Sequence, residues 1–167
     1  MVLRNIETGE DLEAVVEMVT PADFKIIKKS VDRFDKGFNW SDYKDKEVYK
    51  IRLKNDEIIL GLMCIIDHTD PSVNAIEILL LESSAENIGK DKKIDFIGGC
   101  LIAFACRESF KRGHEGVVYL VPKSGLVEHY TDQYGFHHWP QRTSERPEGI
   151  MFLYEPDSRK LIKSYHE

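Results

Sequence analysis

The clearest pattern in the chain is a set of strand-like stretches in its first half. Glu47 to Lys54 alternates, with Val48, Tyr49, Ile51 and Leu53 as its apolar positions, and Asn55-Asp56 follows as a turn. Glu57 to Ile66 then returns, so the two stretches predict a hairpin of adjacent strands. Asp67 to Ser72 reads as the next turn, and Val73 to Glu82 as a third strand. The apolar run Ile76 to Leu81 within it suits a strand covered on both faces in the middle of a sheet. Upstream, Asp11 to Val19 sets Leu12, Val15, Val16 and Val19 at helical spacing, ending before Pro21. Ala22 to Val31 continues as a second helix, with Phe24, Ile27 and Val31 on one side. Gly37 to Asp45 carries aromatics with no period and reads as a loop.

The second half changes rhythm. Ser83 to Lys93 is polar and gathers Lys90, Lys92 and Lys93. Ile97 to Arg112 is the strongest helix, with Ile97, Leu101, Phe104 and Ala105 on its inner stripe. Arg112-Gly113 supplies a basic last turn and a glycine C-cap. Val117 to Val121 is a short β-branched strand closed by Pro122. Gly125 to Tyr134 is a helix ended by Gly135-Phe136, Met151 to Tyr154 a late strand, and Ser158 to Tyr165 a terminal helix. There is no repeat, low-complexity stretch or linker. Residues 1–167 therefore read as a single mixed α/β domain.

Charge narrows the partners. The 23 Lys and Arg against 29 Asp and Glu leave a net charge of −6, which argues against binding nucleic acid. The longest apolar runs, Ile58 to Ile66 and Ile97 to Cys106, reach about half the roughly 20 residues that span a bilayer. No basic patch precedes an apolar core near Met1, so the expectation is a cytoplasmic chain with no membrane partner. Cys64, Cys100 and Cys106 each sit in an apolar run and read as buried thiols. His137-His138 lie adjacent, and on a strand they would face opposite ways, so no shared metal is expected. His68, with Asp67 and Asp70, reads as part of a solvated turn, with an acceptor-binding role as the alternative.

The chemistry concentrates where Gly98-Gly99 opens the strongest helix. Free N–H groups and the positive end of the helix dipole can hold a phosphate there, and the lysines just upstream add charge. By itself that signal is weak. The ordered block from strand to lysine loop, glycine pair, helix, strand and second helix is more specific.

That block, over roughly residues 46 to 138, resembles the GNAT acyltransferases, which take acetyl-CoA as donor. Their Arg/Gln-x-x-Gly-x-Gly/Ala loop matches Lys93-Ile94-Asp95-Phe96-Ile97-Gly98, followed by Gly99-Cys100-Leu101-Ile102-Ala103-Phe104. Their next strand matches Val117 to Val121, their Asn turn Lys123-Ser124, and their helix ending in Tyr and Gly-Phe matches Tyr130 through Gly135-Phe136. The chain looks nearest a bacterial group with a lysine-rich insert before the loop. It departs from the pattern in four places. Lys93 replaces Arg or Gln, Phe96 replaces the middle glycine, Asn is absent near Ser124, and Tyr130 lies five residues before Gly135 rather than four.

The resemblance implies a single domain with a mixed, mostly antiparallel central sheet flanked by helices. It also implies transfer of an acetyl group from acetyl-CoA to an amine of a small molecule or peptide, and it leaves room for a homodimer. The alternative is a silent GNAT-fold protein that binds CoA or a protein partner. Cofactor contacts would fall on Leu79, Leu81, Lys93, Ile97, Gly98, Gly99, Cys100 and Ser124, with no metal. Tyr130 matches the family's general acid. Glu77 and Glu82 are the central strand's only titratable side chains, and Glu77 is the expected base, acting through water.

Overall fold

The computed structural model of the chain describes residues 1–34 and 39–166. They form two compact units, one of residues 1–65 and 80–101, the other of residues 66–79 and 102–166.

In the first unit the strands lie in the order β6-β1-β2-β3-β4, each neighbouring pair antiparallel. β1 (Val2–Asn5) turns back into β2 (Asp11–Met18) through a loop in which the Asn5 side chain accepts from the Glu7 and Thr8 amides. The predicted helix at Asp11 to Val19 is therefore a strand. Its apolar positions fit either period, because Leu12, Ala14, Val16 and Met18 also alternate. The decision falls to β1 and β3, which pair with its two edges, and to β-branched valines that pack well on a pleated surface.

α1 (Pro21–Lys29) follows, opened by Pro21 and a capping box in which Thr20 and Asp23 bond each other's amides. It ends before Val31, which is 62% exposed and not on the buried side. Gly37 and Phe38, in the predicted loop, lie outside the described residues, and Trp40–Tyr43 form a 3₁₀ turn. The predicted hairpin is present as β3 (Glu47–Leu53) and β4 (Gly61–His68), but β4 begins four residues later than Glu57. A side chain at Gly61 would meet the Ile97 methyl at 2.6 Å, so the glycine makes room for the start of α2 (Ile97–Lys111).

In the second unit the order is β5-β7-β9-β8. β5 (Ala75–Ser83) and β7 (Val118–Leu120) are parallel neighbours, as a connection through a helix requires. Their pairing ends at Ile78 and Leu120, although β5 continues to Ser83. β5 is sealed only in part. Ile76 and Ile78 are buried, whereas Glu77, Leu79, Leu80 and Leu81 are half-buried, so the expectation of full cover on both faces does not hold. β9 (Ile150–Leu153) runs antiparallel to β7, and the short strand β8 (His137–Trp139) completes the order.

α2 is buried almost all round and not along one stripe. Cys100, Ile102, Ala103 and Cys106 are sealed like Leu101 and Ala105, while Phe104 is half-buried. α3 (Val127–Tyr134) ends on Gly135, whose φ of 74° is the left-handed value that glycine adopts freely. α4 (Glu155–Leu161) is capped by Asp157 and passes into a wider π turn over Ile162–His166. The fold is mixed α/β, with mostly antiparallel strands and four α-helices among the described residues.

Candidate functional site

The loop before α2 is built by a two-residue strand and one unusual backbone. β6 (Ile94–Asp95) pairs with β1, and the Phe96 amide then donates to the Asp95 carboxylate at 2.9 Å. Phe96 has φ 78°, a left-handed conformation that costs an L-residue with a side chain about 1–2 kcal/mol. The backbone thus keeps a turn that suits glycine, and the Phe96 ring lies 5.3 Å from the Arg4 guanidinium on β1. Its carbonyl accepts from the Cys100 amide at 2.9 Å, closing the first helical turn.

Consequently the Ile97, Gly98 and Gly99 amides have no acceptor among the described residues, and they converge at the positive end of the helix. The Cys100 amide, also expected to bind, is committed to Phe96. Lys93 is exposed and its carbonyl accepts from Ile6, while Lys92 is paired with Asp95 at 2.8 Å. The structure therefore gathers Lys93, Ile97, Gly98, Gly99 and Cys100 around one helix start. Leu81, in the same unit, is half-buried on β5.

In the second unit Glu77 is far from isolated. Its Oε1 lies 2.9 Å from His68 Nε2, within hydrogen-bond reach, and accepts from the Tyr119 hydroxyl at 3.1 Å, and that hydroxyl stands 3.0 Å from His68 Nε2. The cluster arises from three strands. His68 ends β4, Glu77 is on β5, and Tyr119 on β7 is Glu77's partner in the parallel register. His68 is thus a strand residue with a carboxylate partner and not part of a solvated turn. Burial, helped by the Glu77 charge and hydrogen bond, pushes the Tyr119 hydroxyl up to about 12, so it stays protonated and donates. Sequence reasoning gave His68 an acceptor-binding role only as the alternative to a solvated turn, and it did not single out Tyr119. The parallel pairing of β5 with β7 was foreseeable, but the register that sets Tyr119 opposite Glu77 was not.

Tyr130 lies in the middle of α3, packed edge-on against Phe136 with ring centroids 5.6 Å apart and near His129 and Tyr134. Burial raises its pKa, and its hydroxyl bonds no other described residue. A neutral phenol with a free O–H can donate a proton. Leu79 is half-buried, and Ser124 is exposed in the turn before α3.

The remaining candidates are structural. All three cysteines are buried, and burial pushes the Cys100 and Cys106 thiols up to about 12, which leaves them unreactive. His137 bonds Asp157 and His138 the Glu148 carbonyl, each with its own partner. Among the described residues no cluster of His, Cys, Asp or Glu could hold a metal ion, and no helix is long and apolar enough to cross a membrane.

No protein-family model matches the chain, and no curated protein sequence does either. Solved structures match clearly. A spermidine N-acetyltransferase SpeG chimera from Vibrio cholerae and hSSAT aligns at TM-score 0.62 and 13% identity, over 88% of this chain and 98% of that one. AtaTR bound with acetyl-CoA aligns at TM-score 0.62 and 13% identity, over 90% and 98%. A Bacillus subtilis acetyltransferase in complex with CoA aligns at TM-score 0.52 and 11% identity, over 85% and 96%. The chain has the GNAT fold.

Proposed function

We propose that residues 1–167 act as one domain, an acetyl-CoA-dependent N-acyltransferase whose acceptor is an amine of a small molecule or peptide. The observation that carries this reading is the helix start of α2. Three unpartnered amides follow a left-handed residue, at the place where the sequence resembles the GNAT phosphate loop. Structural neighbours solved with acetyl-CoA or CoA support it.

Ile97, Gly98 and Gly99 hold the donor's pyrophosphate through their amides, and Lys93 adds positive charge beside them. Ser124 and the half-buried Leu79 and Leu81 supply the remaining donor contacts. Acetyl-CoA brings a thioester, whose acyl–sulfur bond breaks as the amine's nitrogen–carbon bond forms. Glu77, through water, takes the proton the amine loses, and Tyr130 gives its hydroxyl proton to the departing thiolate. Both residues return to their starting states by exchange with solvent.

Calorimetry with acetyl-CoA, followed by thiol release in the presence of pooled amines, tests the reading. Binding with amine-dependent release is the expected result. Binding without release for any amine would leave a CoA-binding fold without catalysis, and no binding would overturn the proposal.

A further inference from the structure

Glu77 is held through one oxygen only. Two groups, His68 Nε2 and the Tyr119 hydroxyl, converge on Oε1, while Oε2 has no partner among the described residues. The carboxylate is 14% exposed and the imidazole 29%, so the oxygen left over is neither sealed in the core nor freely rotating in water. The same asymmetry marks His68, whose Nδ1 bonds no described residue.

Proton counting fixes who donates. The Tyr119 hydroxyl has one proton and a pKa held high by burial, so it gives that proton to Oε1. The carboxylate cannot donate while ionised, so the imidazole carries its proton on Nε2. A carboxylate with a single hydrogen bond can swing about its last torsion, which is broad for this side chain. With two donors of fixed direction, from neighbouring strands, it cannot.

We infer that His68 and Tyr119 are positioning residues, which clamp Glu77 at Oε1 and leave Oε2 as the oxygen that takes the acceptor's proton. This assignment to the acceptor rests on the acyltransferase reading. The clamp itself does not. Fixing a base within a fraction of an ångström matters because small misplacements cost large factors in rate.

Two measurements test it separately. The first needs no activity: ¹⁵N NMR of the His68 imidazole in wild type, in Glu77→Gln and in Glu77→Leu. The expected result is an Nε2–H tautomer in the wild type that persists in Glu77→Gln, whose amide oxygen still accepts, and loses its preference in Glu77→Leu, which has no acceptor. A dominant Nδ1–H form, or a signal indifferent to Glu77→Leu, overturns the clamp.

The second is kinetic. Tyr119→Phe and His68→Leu should each lower kcat about tenfold with KM for acetyl-CoA unchanged, and His68→Gln, which keeps a donor, should recover most of the loss. Both effects should vanish in a Glu77→Gln background. Wild-type kcat in His68→Leu, or losses that persist without the carboxylate, overturns the positioning role. If the wild type releases no thiol with any amine, the acyltransferase reading falls and with it the assignment of Oε2 to an acceptor, while the NMR arm still decides the clamp.

Discussion

At the scale of single residues, Phe96 shows how a departure from a pattern is absorbed. The side chain was visible in the sequence as an intruder in a glycine position, but its backbone angle was not, because φ at one residue depends on β6, Asp95 and the helix that follows. The strain can be isolated by comparing Phe96→Gly with Phe96→Ala, which lose the same ring. Glycine should be the more stable by about 1 kcal/mol in urea melts, the reverse of the ordinary order. Equal stabilities would show that the left-handed turn carries no strain. Tyr130 poses the complementary question about chemistry. Tyr130→Phe keeps the ring contacts with Phe136 and Tyr134, so stability should barely move. Turnover should fall by roughly 10- to 10⁴-fold if protonation of the thiolate limits the rate. An active variant with wild-type turnover would assign the proton to solvent or to another group. The tyrosine was legible from its place before Gly135. Its unpartnered hydroxyl needed coordinates.

At the scale of elements, β2 is the instructive failure. A helical and an extended period could each be drawn through Leu12 and Val16 with other apolar residues beside them, so local pattern could not choose, and strands distant in sequence did. One ion pair reports how firmly these elements are tied. Lys50 on β3, nearly buried, reaches Asp23 in the first turn of α1 at 2.7 Å. Burial alone would raise the Asp23 pKa, but bonds from Lys50 and Thr20 outweigh it and hold the carboxyl below its usual range. Because the folded pKa is depressed, the pair's contribution is fully present above the ordinary carboxylate value. It is lost as pH falls through the folded one, below about pH 4. Lys50→Met should therefore cost about 3 kcal/mol at neutral pH and less at pH 3, where Asp23 no longer needs a cation. A pH-independent loss in urea melts would mean packing, not charge, holds α1. At the other end of the unit, Gly98→Val tests the helix start of α2. Gly98 is only half-buried, so folding should largely survive while affinity for acetyl-CoA drops at least tenfold in calorimetry. Equal affinity would move the pyrophosphate elsewhere.

At the scale of the whole molecule, the order strand, glycine pair, helix, strand, helix was legible because each step is local in sequence. The pairing of β5 with β7 followed from it through the helical connection. What stayed hidden was everything set by register between distant segments: the β1–β6 pair, the Glu77 cluster, the place of Phe96. Solved structures that share this fold do so at 11–14% identity, so the same architecture is packed from largely different side chains. Ligand-linked stability probes the assembled chain directly, for a donor that binds only the folded form must raise its melting temperature. At about a hundred times its Kd, acetyl-CoA should add about 2.7 kcal/mol. For a chain of 167 residues, at about 2–4 °C per kcal/mol, that is an upward shift of about 5–10 °C in Tm. Gly98→Val should melt near the wild-type temperature without ligand and lose most of the shift with it. A wild-type Tm indifferent to millimolar acetyl-CoA would remove the donor site from α2 and leave the GNAT fold of this chain serving some other ligand.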